Sequence, residues 1–508
     1  EEFLKLGREN PEDGNEEFCM TVLALKMSAY NNGVSKLHGD ISRDMWERIW
    51  PKVPRHEVPI THITNGVHTR TWIGHNMLDL LDRYFGPKFN DEPEKLSIWE
   101  RMSRISDEEL WRTHERRRER LVAFVRDRLR MQMKRRGASQ AQVEQAENLL
   151  SPYALTISFA RRFATYKRAT LLFRDTERLM RLLTDTQRPI QLIFAGKAHP
   201  HDIPGKNLIK DIVHFASNPE VRSKVVFLED YDMNIAKYLI SGSDVWLNTP
   251  RRPMEASGTS GMKAALNGVL NCSIPDGWWA EAYEPSLGWS IGHGEEYDDE
   301  DLQDEIESKA LYDTLEREIL PVFYNRGRDN LPRTWITMMK ESMKTAGARF
   351  SSHRMLTEYA ESFYYPALKN HKKFSKNNFA ISREIAVYID HLKKYWKELQ
   401  IAGISCSAGN ILKIGDEITV KADVLTSGLS TDEIKVELYY GPVDSTDNIS
   451  NAERTEMSPD SGKSEDKKCV FSATVTCRHT GRQGYAVRIL PKHPHLVHPF
   501  LPGFIKWG

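Results

Sequence analysis

The segment Glu255-Ala256-Ser257-Gly258-Thr259-Ser260-Gly261-Met262-Lys263 holds the densest set of groups able to do chemistry. It follows a short apolar run and leads into Ala264-Ala265-Leu266-Asn267, a good helix start. Its small residues let backbone N–H groups approach a ligand closely. At a helix start such groups favour an anion. Ser257 and Thr259 add hydroxyl donors, and Glu255 can accept from hydroxyls such as those of a sugar. Lys263 falls in the first helical turn, beside the anion position. A lysine shielded from water can lose its proton and form a Schiff base. Spacing alone leaves a second reading open, a glycine-rich turn with a merely solvated Lys263, because isolated glycine motifs are weak.

A second cluster reads Arg161-Arg162-Phe163-Ala164-Thr165-Tyr166-Lys167-Arg168. Four cations and a Tyr directly follow an apolar run. Arg forks onto anion oxygens and Lys acts as a point charge, so the cluster suits a phosphate or pyrophosphate. The alternative is a set of exposed first-turn charges. Cations at a helix N-terminus oppose its dipole, which weighs against that alternative. Two phosphate-friendly clusters suggest two phosphate groups, or a nucleotide.

Both clusters sit at the tails of buried strands. Continuous apolar runs occur at Ala154–Phe159, Ile190–Ala195, Val225–Leu228, Asp244–Asn248 and Val269–Ile274, separated by helix-like segments. Such runs read as parallel strands of a βαβ sheet. Ligands on these sheets bind beyond the carboxyl ends of the strands. Upstream, Ser106-x-x-Glu109 reads as a capping box, and Leu110, Trp111, His114, Leu121, Val122, Val125 and Leu129 recur at helical spacing up to a stop at Gly137. The other face of that helix is rich in Arg from Arg112 to Arg136, with Glu115, Glu119 and Asp127 interspersed. It reads as a solvated face rather than a polyanion strip. Residues 300–400 are again helical. Beyond 400, Glu417–Ala422, Glu433–Leu438 and Ala486–Ile489 alternate apolar and polar, as in a small antiparallel β domain of sandwich type.

Composition narrows the function. The 508 residues carry 71 Lys+Arg and 71 Asp+Glu, so net charge gives no case for nucleic acid or an acidic membrane surface. No apolar run reaches the length of a membrane span. Five scattered cysteines, with no Cys-x-x-Cys, suit a reducing cytoplasm. The chain opens Glu1-Glu2-Phe3 without Met, and is expected to be the C-terminal part of something longer. Trp278, Trp279 and Trp289 are expected in the core, and His38 as a packed structural residue. Asp276 and Glu281 resemble a carboxylate pair, but glycosidase chemistry needs a defined separation that sequence does not supply.

The segment Glu255 to Lys263, continued by Asn267-Gly268-Val269-Leu270, resembles the pyridoxal phosphate-lysine signature of the α-glucan phosphorylases, of the bacterial and archaeal glycogen/maltodextrin type. The resemblance extends through Asn32-Gly33-Val34-Ser35-Lys36-Leu37-His38-Gly39, Thr64-Asn65-Gly66, Arg162 to Arg168, Ala195-Gly196-Lys197 and Phe227-Leu228-Glu229-Asp230-Tyr231. Val487 to Pro494 resembles the C-terminal end of that subgroup.

The resemblance implies pyridoxal phosphate carried by Lys263 as a Schiff base. It implies that Arg162 and Lys167 hold the substrate phosphate. Arg161 stands at the place of a Lys that contacts the cofactor phosphate, which keeps the charge and changes the geometry. Thr259, Ser260 and Gly261 fall in the loop that cradles that phosphate. Trp72 and Tyr231 match aromatic neighbours of the cofactor. Asn65, Tyr166, Glu255, Ser257 and Gly258 match positions at the glucosyl site. Ala164 stands where animal and plant members carry His. No metal is implied.

The fold implied is α/β: a Rossmann-like doubly wound domain of a two-domain glycosyltransferase-B architecture, plus a small C-terminal all-β domain. Residues 1–75 would end the N-terminal Rossmann-like domain, 76–150 form a helical connection, and 151–350 form the C-terminal Rossmann-like cofactor and phosphate domain. Residues 351–400 would be C-terminal helices and 401–508 a β-sandwich-like domain. The activity implied is phosphorolysis of α-1,4-glucan to α-glucose 1-phosphate with retention, the cofactor's 5′-phosphate serving as acid and base. The partners implied are α-glucan, inorganic phosphate and the N-terminal part of the same protein, with a homo-oligomer left open. The chain alone is expected to be inactive. A nucleotide-sugar glycosyltransferase of the same fold and a non-catalytic carbohydrate-binding or regulatory protein are the alternatives.

Overall fold

A computed structural model describes residues 2–407, 411–449, 451–460 and 468–508. The chain gathers into two compact units: Asn32–Ile41 with His62–Ala360, and the described residues of Glu1–Asn31, Ser42–Thr61 and Glu361–Gly508.

The first unit is built on a six-stranded parallel sheet. Its strands are β1 (Leu155–Ala160), β2 (Ile190–Ala195), β3 (Val225–Leu228), β4 (Val245–Asn248), β5 (Leu270–Ser273) and β6 (Gly288–Ser290), in the spatial order β3-β2-β1-β4-β5-β6. All pairings are parallel, from Leu155↔Ile190 through Ala160↔Ala195 and onward. Every residue of β1 to β5 is buried, which is why these strands read as unbroken apolar runs. The five expected runs are found within one residue of their bounds. β6 was not expected, because three residues are too short to register as a run. The order 3-2-1-4-5-6 is that of doubly wound folds, and it reverses between β1 and β4. The segments after those two strands are the two clusters singled out above.

Around the sheet lie α1 (Asp107–Arg135), α2 (Thr176–Thr184), α3 (Ile203–Ala216), α4 (Met233–Gly242), α5 (Thr259–Ala265), α6 (Glu300–Thr314) and α7 (Arg333–Arg349). The Oγ of Ser106 accepts from the N–H of Glu109 (3.2 Å), but Glu109 does not reach back. Its carboxylate binds Tyr84 Oη–H (2.6 Å) and Arg83 (2.5 Å), so only half of the expected capping box forms. At the other end, Gly137 (φ +75°) donates to Lys134 O and Ala138 donates to Met133 O, the Schellman arrangement.

The Arg-rich face of α1 is less solvated than expected. Arg118 donates to Asp244 (2.6 Å) and to Pro152 O, and Arg126 donates to the carbonyls of Leu149 and Leu150. Arg117 is buried as well. Asp244, fully buried just before β4, also lies 2.8 Å from His114 Nε2 and accepts from the N–H of Thr156 on β1. The cations of α1 thus anchor the strands at the end of the sheet where β4 begins. Trp278, Trp279 and Trp289 are core residues, as expected.

The second unit contains two antiparallel sheets. Its strands are β7 (Gln400–Cys406), β8 (Glu417–Leu425), β9 (Ile434–Pro442), β10 (Glu453–Glu456), β11 (Ser458–Pro459), β12 (Lys468–Thr476), β13 (Gln483–Pro491) and β14 (Lys506–Trp507). The orders are β11-β12-β8-β7 and β10-β9-β13-β14. Val420, Val424, Phe471 and Val475 of one sheet share a core with Val436, Leu438, Val487 and Ile489 of the other, and Tyr388, Leu392 and Trp396 join it. At one edge lies a buried ion cluster. Arg488, 1% exposed, donates to Glu437 (2.7 and 2.8 Å) and to Glu57 through both terminal nitrogens. Arg454 adds a bond to Glu57 (2.7 Å) and Lys435 one to Glu437 (2.6 Å). The rings of Tyr439, Trp507 and Phe500 flank the Arg488 guanidinium at 5.2–5.8 Å.

Candidate functional site

The loop after β1 and the loop after β4 meet on Glu255. Arg161 approaches its carboxylate at 2.6 Å and Lys167 at 3.2 Å. Arg161 is set by the backbone: its N–H donates to Ala195 O at the end of β2, and the N–H of Phe163 donates to Lys197 O. The alternation turns Arg161 inward and leaves Arg162 exposed, with no partner among the described residues. Both Arg161 and Arg162 still act on Lys167. Burial, and then these two cations, hold its ammonium below its ordinary value, while Glu255 pulls the other way. Lys167 also lies 5.1 Å from the Tyr166 ring. Burial, and then Glu255, raise the Tyr166 hydroxyl.

Two cations therefore share one carboxylate. Arg161 Nη1 is buried and meets no acceptor among the described residues, and Asn248 Oδ1 at the end of β4 and Ser257 Oγ in the loop that follows it are likewise buried and unpartnered there. These are groups suited to an anion and to hydroxyls.

The loop from Glu255 to Gly258 is held from below. Asp276, 3% exposed, accepts from the N–H of Glu255 (2.9 Å) and of Gly277 (2.7 Å). Burial pushes its carboxyl up to about 6 against those two donors. Glu281 instead accepts from Thr64 Oγ–H, so the two carboxylates have separate structural tasks. Ser35 Oγ–H donates to Ala256 O (2.7 Å). Gly258 has φ +81°, a left-handed conformation that favours glycine, and a Cβ there would lie 3.5 Å from Glu255 and 3.8 Å from Arg161. Gly261 has an ordinary φ, but a Cβ there would come within 2.5 Å of Asn271 Oδ1 and 3.0 Å of Trp278. Ser260 Oγ accepts from Trp246 Nε1–H (3.1 Å), which leaves its own O–H to donate. The Thr259 side chain has no partner among the described residues.

Lys263 is half-buried in the last turn of α5, not the first turn expected, because the helix already begins at Thr259. Its Nζ lies 3.9 Å from the centroid of the Trp72 ring, and it makes no ion pair among the described residues. Burial alone lowers its affinity for a proton. Tyr231 and Trp72 pack on the same core cluster as Ala160 and Ala264. Burial pushes the Tyr231 hydroxyl up to about 12, with Arg161 acting in the opposite sense. Asn65 donates its N–H to Val34 O and accepts at its carbonyl from Arg354, so its side chain is free of both tasks. His38 Nδ1 accepts from the N–H of Val34 (3.1 Å), a structural role.

Two residues of the site were given no role from sequence. Asn267, fully buried, donates to Lys263 O and to Trp72 O (2.8 Å each) and accepts from the N–H of Gly74 (2.7 Å). One amide thus ties the lysine helix to the indole turn. Ser35 fixes the loop through Ala256, as described. Both lie inside the blocks quoted for the resemblance, but nothing in their local spacing reveals such distant partners. No group of three or more metal-ligating side chains occurs among the described residues. A cofactor bearing a carbonyl and an anionic group would find an amine in Lys263 and cations in Arg161 and Lys167.

The doubly wound α/β sheet carries the cation-rich cluster at its switch point, and comparison with known proteins gives the family. Residues 9–285 match the family model for carbohydrate phosphorylase, and residues 396–508 match that for the glycogen phosphorylase C-terminal domain. The chain belongs to the carbohydrate phosphorylase family. It is 40% identical to the maltodextrin phosphorylase of Thermococcus litoralis over 516 aligned residues, covering 100% of this chain and 58% of the relative. It is 40% identical to the glycogen phosphorylase of Mycobacterium tuberculosis over 487, covering 96% and 56%. To that of Aquifex aeolicus it is 44% identical over 367, covering 72% and 52%. The chain thus spans a little over half the length of these relatives.

Proposed function

We propose that this chain forms the cofactor- and phosphate-holding part of an α-glucan phosphorylase that binds pyridoxal phosphate. The reaction is phosphorolysis of α-1,4-glucan by inorganic phosphate to α-glucose 1-phosphate, with retention. The observation that carries this reading is the surplus of positive charge: Arg161 and Lys167 share a single carboxylate, and Arg161 keeps a buried nitrogen without an acceptor. A site that had to hold two phosphate groups side by side would need this, because like charges at close range repel strongly.

Lys263 would anchor the cofactor, since a half-buried lysine with no counter-ion gives up its proton readily. Trp72 and Tyr231 would flank its ring. Arg161, Thr259, Ser260 and Gly261 would hold its phosphate. When bound, the cofactor supplies a phosphate whose second pKa of about 6 suits acid–base work near neutrality. Arg162 and Lys167 would hold the substrate phosphate on the face from which the glucan departs. Glu255, Ser257, Gly258, Asn65 and Tyr166 would take the hydroxyls of the glucosyl unit. An anion facing Lys167 would offset the burial and the neighbouring arginines that lower its ammonium, so phosphate and Lys167 would strengthen one another.

The architecture that accompanies this reading is a glycosyltransferase-B fold. Residues 151–350 would be its second Rossmann-like domain, 1–75 the end of the first, and 401–508 a β-sandwich-like appendage. The partners are α-glucan, phosphate and the rest of the same protein, in the cytoplasm.

Addition of pyridoxal phosphate to the purified chain tests the reading. Stable visible absorbance is expected, and Lys263→Ala should abolish it. A chain that binds a nucleotide sugar and leaves pyridoxal phosphate free would reject the proposal.

A further inference from the structure

A second cationic site lies apart from the Glu255 cluster. A cavity of about 380 Å³ opens between the turn Trp72–Gly74, α1 and α4. Arg117, Arg120 and Lys237 line it, together with Asn234, and no carboxylate does so among the described residues. Arg70 is also on the wall, but it is already paired with Asp82.

Arg117 is the informative residue. It is 6% exposed, and its Nε donates to Ser241 O (2.7 Å). Its two terminal nitrogens meet no acceptor among the described residues, and no carboxylate faces it. Burial brings its guanidinium down to about 10, and Arg120 adds to the effect. Elsewhere on α1, the buried Arg118 has Asp244. A buried cation is ordinarily paired, since desolvating it alone is costly. Among the described residues Arg120 donates only to the neutral Asn76, and the Lys237 ammonium has no partner. Three cations thus converge on one cavity with no internal counter-ion.

The glycine at 74 is part of the construction. Its φ is ordinary, yet a Cβ there would come within 1.6 Å of Arg117 Nη2. The guanidinium lies directly on the Gly74 backbone, and the N–H of Gly74 is held by Asn267, the residue that also binds Lys263 O. The cavity therefore backs onto the turn that carries Trp72.

We propose that this cavity is a second anion site, which takes a phosphoryl group, free or as the monoester of a small polar molecule. Arg117 supplies the fork, and Arg120 and Lys237 close on the remaining oxygens. The site is independent of the proposed catalytic reading, because Trp72 is the one residue assigned there that also lines this cavity.

Titration calorimetry with inorganic phosphate at low salt tests it, with glycerol 3-phosphate as the monoester arm. Two classes of site are expected in the unaltered chain. Lys167→Gln should remove one. The double variant Arg120→Gln/Lys237→Gln, which alters only exposed side chains and so avoids the folding risk of changing Arg117, should weaken the other by about tenfold or more. In the Lys167→Gln background, phosphate should slow amide exchange across 70–76. A stronger response to glycerol 3-phosphate than to phosphate would identify the monoester as the occupant, and the reverse would identify the free ion. A single class of site that Lys167→Gln abolishes and the double variant leaves intact would overturn the proposal. So would competition by chloride as effective as phosphate, or a self-associated chain, dissociated by the double variant, that binds no phosphate there.

Discussion

Each compact unit buries an arginine against glutamate, and the two clusters differ in how far the donors of that arginine are satisfied. In the β unit, Arg488 faces two carboxylates, Glu57 and Glu437. Each of its nitrogens has an acceptor, and Arg454 and Lys435 take further oxygens at the rim. In the α/β unit, Arg161 and Lys167 divide one carboxylate, and Arg161 Nη1 is left without an acceptor. Each cluster carries one cation more than it has carboxylates, so net charge does not separate them; saturated donors make a structural knot, and an open buried donor makes a place for something to bind. Burial does not separate the two cases, since both arginines are almost wholly enclosed.

Breaking the knot should give the largest effect. Arg488→Leu leaves two buried carboxylates short of their main partner, and should destabilise the β unit by about 3–5 kcal/mol in denaturant unfolding.

Asp276, beneath the site with the open donor, sharpens the contrast through pH. Its carboxyl titrates at about 6 in the folded chain against an ordinary 3.8. The fold holds this proton more tightly than the unfolded chain does. Asp276 therefore favours folding most below about pH 4, and loses up to about 3 kcal/mol of that contribution as pH rises past 6. Asp276→Asn should flatten the stability profile across that window, as read by unfolding at successive pH values.

Asn267→Ala deletes three buried hydrogen bonds and leaves their partners unmatched. It should cost about 2–3 kcal/mol in thermal unfolding, and hydroxyl-radical labelling should show Trp72 more exposed. Gly258→Ala forces an alanine into a left-handed conformation, at about 1–2 kcal/mol. Arg161→Leu should change stability least, by less than about 1 kcal/mol, since Glu255 keeps Lys167. The same variant should weaken phosphate binding by about tenfold in calorimetry. If Arg161→Leu instead destabilises as strongly as Arg488→Leu, the distinction between the two clusters fails.

The sequence revealed the parts of this arrangement that are local. Strands buried on both faces announce themselves as apolar runs, so the order of elements around Arg161 and Lys263 was legible. The Glu255 loop was legible because small residues and a lysine crowd together there. Pairings across long separations were not. Glu255 meets Lys167 from 88 residues away, Asn267 meets Trp72 from 195, and Glu57 meets Arg488 from 431. The Arg-rich face of α1 misled for a related reason. Charge at helical spacing looks solvated until the sheet end and its Asp244 are placed beside it.

Gly74 carries an evolutionary consequence. Its backbone would suit any residue, and only the guanidinium lying on it forbids a side chain. Positions 74 and 117 are therefore bound to drift together: a homologue that fills the first must shorten the second, and would surrender the guanidinium fork in doing so.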